Sequence, residues 1–195
     1  MIARSRRPWL DRLVWRFTAP VYDRLARNVA PGRAWVADSL ALSSDDRVLL
    51  LGCGTGLDLE YLPTGAEIVA VDRSPAMVHR CRRRAGALGI DIEARVGDAR
   101  SVASPERSFD AVLVHLLLSI VDDPDAVLAE ASRVLVPDGS VSIIDEPKRI
   151  HPTVTQTERL RTAGLVANRS ASFGAYEATI AGFGPRGPRL PSRMD

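Results

Sequence analysis

Three glycines, Gly52, Gly54 and Gly56, follow directly on the apolar run Val48-Leu-Leu-Leu51, and the next acid to close such a run is Asp72, twenty positions after Gly52. Four consecutive apolar residues read as a strand buried on both faces. Glycines at the carboxyl end of a buried strand let the backbone turn sharply and approach a ligand closely. An acid at the tip of the second strand can accept hydrogen bonds from a ribose. The chemistry open to this set is the binding of a nucleoside cofactor. A dinucleotide fingerprint would need glycine or alanine at position 57, which is Leu57, so the spacing disfavours a nicotinamide-dependent dehydrogenase.

A second acid, Asp98, follows the third apolar run in Gly97-Asp-Ala-Arg100. A carboxylate at a strand end can accept from an exocyclic amine, while the adjacent Ala99 N–H can donate to a ring nitrogen. Four more side chains, Tyr22, His115, Asp145 and His151, are candidates to face an acceptor. His115 has the side-chain type of a general base, although packing or cofactor contact is its favoured role. Cys53 lies inside the glycine turn, where any small residue serves, and Cys53 and Cys81 make neither a disulfide framework nor a metal site. No residue stands out as catalytic, and no metal is expected.

Strands alternating with helices must position these groups, which implies an open α/β sheet. Only a short helix, near residues 58–62, fits between the glycine turn and the second strand. Ser74-Pro75 predicts a helix with a side-chain cap and a first-turn proline, with Met77, Val78, Cys81, Ala85 and Leu88 buried and Gly89 as its end. His79 and the arginines from Arg80 to Arg84 are expected on its solvated face. Residues 91–96 and 109–114 read as the third and fourth strands, and Asp122-Asp-Pro-Asp125 opens a further helix acid-first. Pro137-Asp-Gly139 is expected to turn the chain into a fifth strand at 140–145, with Asp138 in a left-handed conformation. A helix over 153–163 and a pair of strands joined at Gly174 complete the pattern.

With 195 residues, 46% apolar and 26% charged, the chain suits one domain with a sizeable core. Its net charge of +2 is uneven: residues 1–40 carry eight arginines against three aspartates. The same region holds all three tryptophans, and residues 8–18, 20–29 and a segment after Pro31 read as helices. The absence of an apolar run of about 18–20 residues leads to an expectation of a cytoplasmic protein. Nucleic-acid binding needs a broad basic face, so no nucleic-acid partner is expected. An amphipathic, arginine-flanked segment over residues 1–20 suits a lid on an apolar acceptor or a peripheral membrane contact.

The motifs Leu51-Gly-Cys-Gly-Thr-Gly56, Val71-Asp-Arg-Ser-Pro-Ala-Met77, Gly97-Asp-Ala99, Ser108-Phe-Asp-Ala-Val112 and Glu130-Ala-Ser-Arg-Val-Leu-Val-Pro-Asp-Gly139 stand in register. Through them, residues 46–146 resemble the class I S-adenosylmethionine (SAM)-dependent methyltransferases, most of all the branch of quinone-biosynthesis and phospholipid methyltransferases. The resemblance implies a Rossmann-like seven-stranded sheet ordered 3-2-1-4-5-7-6, with strand seven antiparallel. It implies a SAM-binding core over 46–183, to which the residues themselves add a helical lid over 1–42 and, from its Pro, Gly and Arg content, a disordered tail over 184–195. It also implies SAM as cofactor, with S-adenosylhomocysteine as product. Gly52, Cys53, Gly54, Thr55 and Gly56 would pack against the methionine end, and Asp72 with Arg73 would hold the ribose. Asp98 and Ala99 would read the adenine, and His115 would touch the cofactor. Tyr22 and His115 would face a small-molecule or lipid-like acceptor. The segment after strand five is short for this family, so the acceptor pocket would draw on the N-terminal helices or on a second subunit of a homodimer. A SAM-binding module without methyl transfer is the alternative.

Overall fold

In a computed structural model, residues 27–146 and 155–184 are described. The helices expected over 8–18 and most of 20–29, the side chains of Tyr22 and His151, and nearly all of the tail lie outside those residues. The described elements run α1 (Ala30–Leu40), β1 (Arg47–Leu51), a 3-10 turn (Leu57–Tyr61), β2 (Glu67–Asp72), α2 (Pro75–Leu88), β3 (Ile92–Val96), β4 (Phe109–His115), α3 (Pro124–Val134), β5 (Leu135–Asp145), α4 (Gln156–Thr162), β6 (Val166–Phe173) and β7 (Tyr176–Gly182). The strands form one sheet in the order β3-β2-β1-β4-β5-β7-β6. β7 pairs antiparallel with β5 and β6, and the other pairings are parallel.

The central strands are apolar on both faces because helices cover both. Side chains alternate sides along a strand, and here the alternation divides the interior in two. Leu49, Leu51, Val69, Val71, Val112 and Val114 pack with Val127, Leu128, Ala131 and Val134 of α3. Val48, Leu50, Ile68, Ala70 and Leu113 pack on the opposite side with Val36 and Leu40 of α1 and Val78, Cys81 and Ala85 of α2. Burying one large aliphatic side chain contributes about 1.5–3 kcal/mol, so both layers bind the sheet to its helices.

Local sequence explains most element ends. Asp123 caps α3 by accepting from the Ala126 N–H. Thr155 and Glu158 form a reciprocal capping box at α4. Gly89 ends α2 in the left-handed conformation. Several expectations need correction. The Ser74 side chain does not cap α2; instead its N–H donates to the Asp72 carboxylate at 2.8 Å. The buried stripe of α2 stops at Ala85, leaving Leu88 exposed. Arg84 is not simply solvated: it donates to the Thr55 carbonyl at 3.0 Å and to Glu60 at 2.6 Å. β5 begins at Leu135 rather than at Ser140, with a register shift opposite Phe109 and Ala111. Asp138 is not left-handed; among the described residues only Ala41, Arg107 and Leu116 combine a side chain with positive φ. The bulge depends on Gly139 for space, since a Cβ there would lie 2.8 Å from the Asp110 carbonyl oxygen and 2.7 Å from Leu135 Cδ1.

This topology fixes where a ligand goes. From β1 the chain winds to β2 and β3 on one side, then crosses to β4 and β5 on the other. The strand order reverses between β1 and β4, and ligands of such sheets bind outside the carboxyl ends of the strands at that reversal. Leu51 is level with Val71 and Val114 in register, so the Gly52–Gly56 turn, Asp72 and His115 converge on one rim.

Candidate cofactor and acceptor site

Gly52, Gly54 and Gly56 all take positive φ, at 67°, 53° and 80°. Side chains are disfavoured in that region, which is why glycine recurs at every second position. Gly52 also leaves space for a neighbour: a Cβ there would lie 2.7 Å from Leu117 Cδ1. The turn is fastened to the second strand, with the Cys53 N–H donating to the Val71 carbonyl at 3.0 Å and the Gly54 N–H to Asp72 Oδ2 at 2.9 Å. Burial raises the Asp72 pKa, and the Ser74 and Gly54 amides and Arg73 pull against it. Asp72 therefore shapes the turn before any ligand is considered. Cys53 and Cys81 are buried free thiols; the Cys81 contact and burial push the Cys53 thiol well up, away from a reactive thiolate.

Asp98 lies at the rim after β3, half exposed, inside a fork made by Arg100. The Arg100 guanidinium donates at 2.6, 3.0 and 3.2 Å and its backbone N–H at 2.9 Å. That hydrogen bonding holds the Asp98 pKa at about 2. Ala99 is partly buried against the core. Asp145 is buried at the end of β5, where its carboxylate accepts from the Ser119 N–H at 3.1 Å and the Glu146 N–H at 2.9 Å. Burial raises its pKa.

His115 closes β4 and is buried, with both ring nitrogens engaged. Nδ1 lies 2.7 Å from Asp58 Oδ1, and Nε2 lies 2.9 Å from Ser142 Oγ. Asp58 Oδ1 also accepts from Arg33 Nε at 2.7 Å, with side-chain exposures of 5% for Arg33 and 12% for Asp58. Burial by itself would raise the Asp58 pKa, but facing His115 and Arg33 outweighs it and holds the carboxyl far below the ordinary range. An ionised Asp58 can only accept, so the His115 proton that faces it sits on Nδ1. His115 cannot take a proton from an acceptor without first releasing one of these bonds.

The structure thus brings Gly52, Cys53, Gly54, Thr55, Gly56, Asp72 and His115 to one rim, with Asp98 and Ala99 beyond the second strand. Arg33, Asp58, Ser142, Arg84 and Arg100 also belong to the site and were not singled out from the sequence. Asp58 carried one usable clue, its place between Leu57 and Leu59 at the start of the short helix expected near residues 58–62. Among the described residues no group of three or more His, Cys, Asp or Glu side chains is arranged to hold a metal ion. No helix among them is long and apolar enough to cross a membrane.

Residues 49–143 match the family described as a methyltransferase domain. The demethylmenaquinone methyltransferase of Deinococcus radiodurans is 36% identical over 192 residues, covering 90% of this chain and 79% of that protein. The chain belongs to the class I SAM-dependent methyltransferases. Solved structures agree on the fold of this methyltransferase: a SAM-dependent methyltransferase from Aquifex aeolicus has a TM-score of 0.64 at 22% identity, covering 76% of this chain and 88% of that one. The cyclase SpnF has a TM-score of 0.66 at 25% identity, covering 72% and 58%. The expected sheet order is the observed one, including the antiparallel β7.

Proposed function

We propose that this methyltransferase binds SAM at the Gly52–Gly56 turn and transfers its methyl group to a small apolar or amphiphilic acceptor of quinone-like or lipid-like character. The observation that carries the reading is the fastening of a three-glycine turn to Asp72 at the strand-order reversal. The donor set fits SAM. Asp72 uses one acceptor site on each oxygen for the Gly54 and Ser74 amides, and an ionised carboxylate has about four such sites, leaving capacity for the ribose hydroxyls. Asp98 is ionised and half exposed, as a partner for an exocyclic amine must be. The left-handed glycines present bare backbone to the methionine end, and Arg73, Cys53 and Thr55 complete that wall.

When bound, SAM supplies a methyl group on an already activated sulfonium, so the protein's share is placement. Gly52 through Gly56 fix the sulfur end, and Asp72 and Asp98 fix the nucleoside end. Leu117 and the apolar segment after β4 shield the space beside the turn from water. His115, held by Asp58 and Ser142, serves as a rigid wall. On the acceptor side, Tyr22 and the arginine- and tryptophan-rich residues 1–20 supply a lid, with peripheral membrane contact and a homodimer as further parts of the proposal. The acceptor class is supported by the relative from Deinococcus, whose name describes a quinone substrate.

Calorimetry with SAM, followed by transfer of labelled methyl to a short-chain naphthoquinone, to phosphatidylethanolamine vesicles and to RNA, tests the reading. Labelling of a lipophilic acceptor is expected, and labelling of RNA alone would overturn it. The likeness to a cyclase gives a second reading, a SAM-binding protein without methyl transfer. SAM binding with no labelled product on any acceptor would favour that one.

A further inference from the structure

We propose that Asp58 Oδ2 is the recognition point for the α-ammonium group at the methionine end of the cofactor, an assignment that rests on the SAM reading above. The two hydrogen bonds to the Asp58 carboxylate, from Arg33 and His115, both end on Oδ1. Among the described residues no donor reaches Oδ2. Asp58 as a whole is only 8% exposed, and it lines a small cavity together with Gly52, Thr55, Leu57, His115 and Arg33. The Asp58 side chain keeps 12% of its surface open, so with Oδ1 taken by two donors Oδ2 is the carboxylate oxygen left to meet a ligand.

The chemistry of that oxygen selects the group. It can only accept, so its partner must carry N–H or O–H hydrogens. A sulfonium carries none. The ribose hydroxyls belong at the tip of β2, with Asp72. An α-ammonium carries three donors and a positive charge, and charge-assisted bonds of this kind are the stronger ones. Arg33 on the far side of the same carboxylate adds a cation near the cavity, so an amino acid's paired charges meet a paired complement. Arg33 and His115 keep the carboxylate from rotating, because turning it would break two short bonds at once.

Asp58→Asn tests the assignment directly. The amide can keep its oxygen toward Arg33 and His115 while turning its NH2 into the cavity, where it opposes an ammonium. Titration calorimetry would compare the full chain and the variant with SAM, with S-adenosylhomocysteine and with 5′-methylthioadenosine, which lacks the amino-acid end. The variant should bind SAM and S-adenosylhomocysteine about 10- to 100-fold more weakly and methylthioadenosine unchanged. Equal weakening of all three ligands would make Asp58 a structural residue. Weakening of SAM alone would point to the sulfonium, and no weakening would remove Asp58 from recognition; each result overturns the proposal. Should the variant fail to fold, the unaltered protein suffices. S-adenosylhomocysteine lacking only its amino group should then bind about 10- to 100-fold more weakly than the parent compound, and equal binding refutes the assignment. If the unaltered protein binds none of these nucleosides, the SAM reading itself has failed, an outcome distinct from a variant that binds them all normally.

Discussion

Replacing Arg33 by methionine should lower the stability of the fold by about 3 kcal/mol. Arg33 Nε and Asp58 Oδ1 are 2.7 Å apart, and their side chains are 5% and 12% exposed, so solvent screens the pair little. Removing one member of a buried ion pair costs about 3–5 kcal/mol, because the remaining charge stays desolvated without compensation. Asp58 would keep the His115 Nδ1–H at 2.7 Å, which puts the expected loss at the low end. Methionine nearly fills the arginine stem's volume, so a cavity adds little. For a chain of this length the melting temperature should fall by about 6–12 °C. Calorimetric melting of Arg33→Met, Asp58→Asn and the double variant measures the pair apart from anything else Arg33 touches, and a coupling of about 1.5–3 kcal/mol is expected. Acid sharpens the test. The folded Asp58 pKa lies below its unfolded value, so its contribution is present above the unfolded value of about 4 and is lost as pH falls from there through the folded value. The stability gap between the native chain and Asp58→Asn should therefore hold from about pH 6 to pH 5 and narrow below about pH 4. A melting temperature unchanged in Arg33→Met, or a coupling within about 0.5 kcal/mol of zero, would refute the reasoning.

Asp72→Ala should weaken SAM binding by about 1.5–3 kcal/mol and loosen the turn as well, since the Gly54 and Ser74 amides lose their acceptor; unchanged affinity in a folded variant, measured by calorimetry, would remove Asp72 from the site. Gly139→Ala should cost about 1–3 kcal/mol of stability through contact with the Asp110 carbonyl and Leu135 rather than through φ, and an unshifted denaturation midpoint would contradict the bulge described for β5. Deleting residues 1–18 should leave SAM affinity nearly intact while lowering turnover of a lipophilic acceptor, and full turnover by the truncated chain would show that those residues are no lid.

The strands and the glycine turn were legible because their causes are local. Four apolar residues in a row, a glycine at every second position and an acid at a strand tip each declare themselves within a few residues. The α3 cap at Asp123 and the left-handed end of α2 at Gly89 are of the same kind. The buried Arg33–Asp58–His115–Ser142 set was not legible, because its bonds join residues 25, 57 and 27 positions apart. Each of these residues taken alone reads as an ordinary surface arginine, turn aspartate or strand serine. His115 drew attention by its residue type, yet its two partners decide what it can do, and they come from a loop and a different strand. Asp138 shows the opposite failure: a residue able to adopt a left-handed turn was assigned one, while the tight packing of Gly139 had made the bulge by another route.

The contact between Gly52 and Leu117 bears on how this fold can be divided. Gly52 ends the first strand of one half of the sheet, and Leu117 follows the first strand of the other. Because Gly52 has no side chain, Leu117 packs directly against the turn, a contact that reaches across the strand-order reversal. Asp145, accepting from the Ser119 amide, anchors the segment that carries Leu117 from β5. The segment before β4 therefore carries the glycine turn without its cover, and the segment after it carries the cover without the turn. Two fragments split between β3 and β4 would have to reassemble before the turn regained that cover, and a hybrid made by exchanging halves with a relative would have to match residue 52 of one parent to residue 117 of the other.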